Sequence, residues 1–132
     1  MAEKLTRDEI MALEGPALAA AVVEHVFGLP LLTPMKSIAA GWSKPKAVMY
    51  ETDVCIYGME RLDPRFRPHE DWSDAMCVKH EALKHVPWPK FADALCDARR
   101  DPRYEAIRAW TFATPTDICR AALLVAMEAT DG

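Results

Sequence analysis

Apolar residues recur three and four positions apart in four stretches of the chain, which is the spacing of an amphipathic helix. In the first stretch Leu18, Val22 and Val26 share one stripe, and Gly28 stands where a left-handed C-terminal cap is expected. A shorter helix is expected to begin at Thr6, because Thr6 and Glu9 have capping-box spacing. The four longer helices are predicted over residues 16–27, 72–85, 89–100 and 115–128.

The last of these helices has the clearest start signal in the chain. Thr114 is a hydroxyl cap, Pro115 stands at the first helical position, and Asp117 places an acid in the first turn. After that turn only Arg120 and Glu128 interrupt the apolar residues. Because it is apolar nearly all round, this helix is expected at the centre of the fold.

Two other helices have predicted core faces. Asp71 or Ser73 is expected to cap the helix over 72–85. Its core face is predicted to comprise Trp72, Met76, Leu83 and Val86, and that of the next helix Phe91, Ala92, Leu95 and Cys96.

Residues 47–58 form the best strand candidate, because Val, Tyr and Ile dominate there. Glu51-Thr52-Asp53 in its middle predicts a hairpin turn. Residues 29–46 are expected to be a loop with one helical turn around 35–40, and residues 59–70 to be irregular, while 103–113 fit either a helix or a strand. The prediction is one α+β domain over residues 1–132, helix-rich, with a small β-sheet packed by helices.

Composition narrows the class of protein. The chain has 132 residues, of which 51% are apolar, and this is a globular balance. No run reaches the roughly 18 apolar residues of a membrane span, and no secretory signal is evident, so a cytoplasmic location is expected. The net charge is −4 and no segment is strongly basic, so a long nucleic acid is not the expected partner.

The four cysteines are expected to be reduced and buried. Cys77 and His80 would share a helix face, near His85 and Cys96, but no C-x-x-C or H-E-x-x-H motif accompanies them. A thiol beside a surface histidine is therefore favoured over a zinc site. No cofactor is predicted.

The sequence motifs give little indication of a catalytic function. Arg120 would favour a thiolate at Cys119, yet the apolar surroundings favour an inert core cysteine over a nucleophile. There is no G-x-G-x-x-G and no P-loop. We therefore expect no enzyme activity.

The segment 61–69 is the best candidate for binding an anion. Arginines bind phosphate through paired hydrogen bonds, and aromatic rings can stack on a base. A solvated surface loop is the simpler alternative. The candidate ligand-binding residues are Arg61, Arg65, Phe66, Arg67 and His69, with Trp42 and Trp72 as further aromatic partners.

Three stretches together resemble the phage ABA-sandwich domain family. They are Leu5 to Gly28, Trp72-Ser73-Asp74-Ala75, and Thr114-Pro115-Thr116-Asp117-Ile118-Cys119-Arg120-Ala121-Ala122-Leu123. The resemblance covers about half of the chain and implies an alpha-beta-alpha sandwich and a phage origin. Residues 29–70 are longer than the loop at that place in the family, so they look like an insertion.

Two functions are predicted from this resemblance. The first also rests on the segment 61–69, and the second on the acidic ends of the chain and its four tryptophans. The first is a phage accessory protein of the bacterial host cytoplasm that counters antiviral defence by sequestering a small signalling nucleotide, as a homo-oligomer. The second is an inhibitor that binds a host defence protein, as anti-CRISPR proteins do. A small cysteine enzyme and a structural protein of the virion remain further alternatives.

Overall fold

The computed structural model describes residues 4–40, 46–51, 53–57, 64–99 and 113–131. The helices in these ranges are α1 (Arg7–Ala12), α2 (Gly15–His25), α3 (Pro34–Ala40), α4 (Trp72–Leu83), α5 (Trp88–Arg99) and α6 (Pro115–Asp131). The strands are β1 (Leu31–Leu32), β2 (Lys46–Met49) and β3 (Val54–Tyr57). The predicted helix-rich α+β class is confirmed.

Local signals set the ends of these helices. Glu9 N donates to Thr6 Oγ1 at 3.2 Å, and Thr6 N donates to Glu9 Oε1 at 3.0 Å, which is the predicted capping box of α1. Thr114 and Asp117 exchange the same two hydrogen bonds at the start of α6. Gly28 follows α2 with φ +67°, a conformation that glycine adopts without steric cost.

Helix α6 lies at the centre of the fold, as predicted. It packs against α1, α2, α4 and α5. Its side chains are buried on nearly every side, at Ile118, Cys119, Ala121, Ala122, Leu123, Val125 and Met127.

The predicted core face of α4 is wrong in part. Trp72 is 53% exposed, and Met76, Leu83 and Val86 are only partly buried. The buried apolar residues are instead Ala75, Val78 and Ala82. These smaller side chains form a stripe at helical spacing that lets α4 approach α6 closely, whereas Trp72 occupies the first turn, at the edge of that contact. On the predicted core face of α5, Phe91, Ala92 and Leu95 are buried, whereas Cys96 is only partly buried.

The sheet has the order β1-β2-β3. Strands β2 and β3 are antiparallel, and Tyr50 N donates to Asp53 O at 2.8 Å across the predicted hairpin turn. Strand β1 pairs in parallel with β2, Leu31 opposite Ala47 and Leu32 opposite Val48. This strand was not predicted, because two residues are too short to show alternation.

The sheet has helices on both sides. On one side Ala47, Val54 and Ile56 belong to the common hydrophobic core, and α2 packs there against β3. On the other side Lys46 Nζ donates to Ser37 O of α3 at 2.7 Å. The region 29–70, which looks like an insertion by sequence, supplies all three strands.

Several predictions concern parts of the chain outside the described residues. Trp42, Arg61 and the ambiguous residues 103–112 belong to these parts. Among the helices that are described, none is both long enough and apolar enough to cross a membrane.

The central position of α6 gives a direct test. Leu123 is fully buried, so Leu123→Ala should lower the free energy of unfolding by about 2–5 kcal/mol. Its neighbour Leu124 is only partly buried, so Leu124→Ala should cost clearly less and serves as the matched control. Urea unfolding followed by circular dichroism measures both. Equal losses would show that α6 is not central.

Candidate functional site

Residues 64–66 of the arginine segment predicted from sequence form an additional edge of the sheet. Ile56 N donates to Pro64 O, and Phe66 N donates to Val54 O, each at 2.8 Å. Between these bonds Arg65 lies opposite Cys55 in an antiparallel bridge. The segment is therefore extended, and its successive side chains point to opposite faces of the sheet.

Phe66 points into the core and is 1% exposed. Its ring contacts that of Phe27 edge to face, with centroids 5.7 Å apart. Phe66 thus anchors the segment, and a base has no access to its ring. Arg65 and Arg67, one residue to either side, point to the opposite face of the sheet.

That opposite face consists of rows of side chains from neighbouring strands. The first row holds Tyr50, Asp53 and Arg67, the second Val48, Cys55 and Arg65, and the third Lys46 and Tyr57. Residues directly opposite one another in antiparallel strands share a face, so these side chains lie together. We call Lys46, Tyr50, Asp53, Tyr57, Arg65 and Arg67 the polar sheet face.

Arg67 is held in place on two sides. Its Nε donates to Asp53 Oδ1 at 2.7 Å, across the first row. Its backbone N donates to Asp74 Oδ2 at 3.0 Å, and Asp74 belongs to the first turn of α4. Asp71, one of the two predicted caps, accepts from Asp74 N at 3.2 Å. The start of α4 therefore fixes the edge of the sheet that carries the arginines.

The two tyrosines approach each other over the middle row. Their hydroxyl oxygens are 3.0 Å apart, although Tyr50 and Tyr57 stand in the first and third rows. Both side chains therefore lean across Val48 and Cys55, which are buried. The hydrogen bond to Tyr50, followed by burial and then Cys55, raises the pKa of Tyr57, so its hydroxyl stays protonated. Tyr50 is 38% exposed and offers an aromatic surface to solvent.

Lys46 closes the far end of the face. Its side chain is buried, and its ammonium group donates to the Ser37 carbonyl at 2.7 Å. Helix α3 consequently covers the third row. Arg65 and Tyr50 are exposed to solvent, and Arg67 is partly exposed.

His69 and Trp72 do not belong to the polar sheet face. His69 O accepts from Thr116 Oγ1 of α6 at 3.0 Å, and the imidazole is 10% exposed with no hydrogen-bond partner at Nδ1. Trp72 is exposed on the first turn of α4. Of the seven residues predicted from sequence, the structure therefore places Arg65 and Arg67 together on this face.

Sequence reasoning missed Lys46, Tyr50, Asp53 and Tyr57 as part of the site. Their signal is alternation: Lys46, Val48 and Tyr50 are every second residue of one strand, and Asp53, Cys55 and Tyr57 of the next. The hairpin itself was predicted. Its polar side was not assigned, because the edge pairing of residues 64–66 was not visible in the sequence.

The cysteines give no reactive pair or metal cluster. None of the four forms a disulfide; Cys55 and Cys119 are buried, whereas Cys77 is exposed and Cys96 is partly exposed, contrary to the expectation of buried thiols. Burial raises the pKa of Cys119, and the opposing effect of Arg120 is smaller, which supports the interpretation as a core cysteine. Within the described ranges no three His, Cys, Asp or Glu side chains are placed to hold a metal ion.

Two cavities lie away from the polar sheet face. An open groove of about 570 Å³ runs between α1, α5 and α6, with Ile10, Leu124 and Met127 at its floor. Arg7 Nη2 and Asp97 Oδ1, both on its rim, are 3.1 Å apart. A smaller apolar pocket of about 200 Å³ lies between α2, α4 and α6, beside His25 and His85.

Comparisons with protein-family models, curated proteins and solved structures gave no match to this chain. The resemblance to the phage ABA-sandwich family therefore stays a prediction.

The lowered pKa of His69 predicts how the free energy of unfolding depends on pH. Burial, with a further contribution from Arg67, lowers the pKa of His69 in the folded protein, while Glu70 and Asp53 act in the opposite direction. The unfolded chain therefore takes up this proton first, and stability should fall as pH decreases through about 6.5 toward the lowered pKa.

Urea unfolding at pH 7.5 and 5.5 measures this effect. His69→Gln should reduce the loss of stability between the two values, and His80→Gln, at an exposed histidine of α4, controls for removal of an imidazole. An unchanged pH dependence in His69→Gln would contradict the assignment.

Proposed function

We propose that this chain is a non-enzymatic binding protein that holds a small anionic nucleotide against the polar sheet face. The observation that carries the proposal is that Arg65 and Arg67 project from the same face as Tyr50 and Tyr57. Guanidinium groups bind phosphate oxygens through charge-assisted hydrogen bonds, and an exposed tyrosine ring stacks on a base. A single face thus provides for both halves of a nucleotide.

The hydrogen bonds of the sheet support a site in which the arginines are oriented before a ligand binds. Arg67 is already oriented by Asp53 and by the hydrogen bond from its backbone to Asp74. Arg65 is placed by the hydrogen bonds on either side of it, from Ile56 to Pro64 and from Phe66 to Val54. Binding to such a preorganised site avoids much of the cost of ordering side chains and loops.

The protonation states of Tyr57 and Cys119 support binding over catalysis. The pKa of Tyr57 is raised by its hydrogen bond to Tyr50, and that of Cys119 by burial, so neither gives a nucleophile at neutral pH. Arginine remains charged at any physiological pH. These groups can hold an anion but are poorly suited to transfer a proton.

The biological setting follows from the resemblance to the phage family. We propose that the protein is phage-encoded and acts in the cytoplasm of a bacterial host. There it would lower the free concentration of a nucleotide that signals infection, so that the host defence is not activated. Sequestration of this kind needs affinity and abundance but no turnover.

Nucleotide binding is tested by thermal unfolding against a panel of mono-, di- and cyclic nucleotides, followed by calorimetric titration. A ligand at one hundred times its dissociation constant stabilises by about 2.7 kcal/mol, which is several degrees for a domain of this size. Arg65→Ala and Arg67→Ala should each weaken binding by about tenfold or more.

The control for these variants is Arg7→Ala, which removes another ion-paired arginine at α1, away from the sheet. It should leave the affinity unchanged. If no nucleotide in the panel shifts the midpoint, or if all three variants bind alike, the polar sheet face is not the binding site.

A protein-binding inhibitor is the second candidate, favoured by the surface of α3. Met35 and Ile38 are 79% and 73% exposed and stand three residues apart on one side of that helix. Exposed apolar pairs on a helix are typical of surfaces that bind another protein, here a component of a host defence complex.

Pull-down from host lysate tests this second function. The wild-type protein should recover a stoichiometric partner, and Met35→Ser with Ile38→Ser should lose it, while Lys36→Ser on the same helix should retain it. Native mass spectrometry of the same samples tests the predicted homo-oligomer. Recovery by the double variant equal to that of wild type would exclude α3 as the binding surface.

A further inference from the structure

Helix α4 carries a second stripe of apolar side chains beside the one that faces α6. Trp72, Met76 and Leu83 recur at helical spacing, and we call them the outer stripe. Trp72 is 53% exposed, and the other two are partly exposed. The core stripe of α4 consists of smaller residues, Ala75, Val78 and Ala82. The largest apolar side chains of this helix therefore lie at its surface.

The outer stripe has the composition of a protein interface. An exposed tryptophan with methionine beside it is typical of interface centres. Lys79 stands between Met76 and Leu83 and is itself partly buried, so its aliphatic stem extends the apolar surface. A helix that is apolar on two neighbouring sides is usually covered on both. The outer stripe thus fits a partner surface better than it fits solvent.

The charges of α4 differ between its two ends. Residues 70–74 carry three acidic side chains and no basic one, giving −3. Residues 79–85 carry two lysines and one glutamate, giving +1 with their two histidines counted as neutral. This count includes Glu81, which already pairs with Lys84 at 2.9 Å. When two α4 helices run antiparallel, the acidic end of one copy therefore meets the basic end of the other.

We propose that two copies of this chain pair through α4, antiparallel about a two-fold axis, with their outer stripes in contact. In this register Trp72 lies over Leu83 of the partner subunit, and Met76 lies over the stem of Lys79 of the partner subunit. Every contact occurs twice, because the interface is isologous. The proposal goes beyond nucleotide binding and does not depend on it.

The length of the helix sets the expected strength of the dimer. Helix α4 has 12 residues and is therefore about 18 Å long. A pairing of this length is small for a protein interface, so we expect a dissociation constant in the micromolar range.

Sedimentation equilibrium over a range of protein concentrations tests the proposal. Trp72→Ala should raise the dissociation constant of the dimer by about tenfold or more, since a large aromatic anchor is lost twice. Met35→Ser is the matched control, because it removes another exposed apolar side chain, on α3. It should dimerise like wild-type protein. Circular dichroism of each variant checks that the fold is retained.

A charge exchange tests the antiparallel arrangement itself. Glu70→Lys and Lys84→Glu should each raise the dissociation constant by about threefold or more, because each places like charges together at both ends of the pair. The double variant, Glu70→Lys with Lys84→Glu, restores opposite charges and should return the dissociation constant close to the wild-type value. Failure of the double variant to recover would overturn the antiparallel pairing.

Two further outcomes would overturn the interface as a whole. The first is a wild-type protein that stays monomeric up to about 1 mM. The second is a dimer that Trp72→Ala leaves unchanged. Neither result would bear on the proposed nucleotide binding, which is measured separately with the arginine variants.

Discussion

Burial of α6 is the constraint on which the other described elements depend. Four helices, α1, α2, α4 and α5, pack against it, and its apolar residues extend around most of its circumference. Helix α2 contacts α6 and also contacts β1 and β3. The sheet is therefore attached to the helical core largely through α2. A cavity at α6 would loosen the support of the sheet as well as the helices around it.

The polar sheet face follows from the way this small sheet is covered. One of its faces completes the common core, and α3 packs against the other at Lys46. Residues 64–66 extend the sheet at β3, and Asp74 binds the Arg67 backbone N–H where the chain turns toward α4. The same turn is tied to α6 by the hydrogen bond from Thr116 to His69. The first turns of α4 and α6 therefore help to position the arginines, although the arginines themselves lie on the edge of the sheet.

Most of the helices could be predicted from sequence because their signals are local. Thr6 with Glu9, Thr114 with Asp117, and Gly28 each depend on neighbours within a few residues. The position of Trp72 and the pairing of Arg65 with Cys55 depend on distant contacts, which no short pattern encodes. Phe66 is a further example. The arginines beside it predicted a binding loop, whereas the alternation of side chains along an extended segment directs its ring into the core. The segment was thus identified as a candidate site, while the face it presents was not.

The chemistry of the polar sheet face supports the proposed binding function. Its arginines keep their charge, and the hydrogen bond to Tyr50 together with burial holds the proton on Tyr57. His69, the described histidine nearest to Arg67, is packed against the start of α6, and burial lowers its pKa. The arginines and Tyr57 therefore keep their charge and their hydrogen-bond donors near neutral pH. A constant pattern distinguishes ligands by their shape and charge, whereas acid–base catalysis requires a group that changes its protonation state during the reaction.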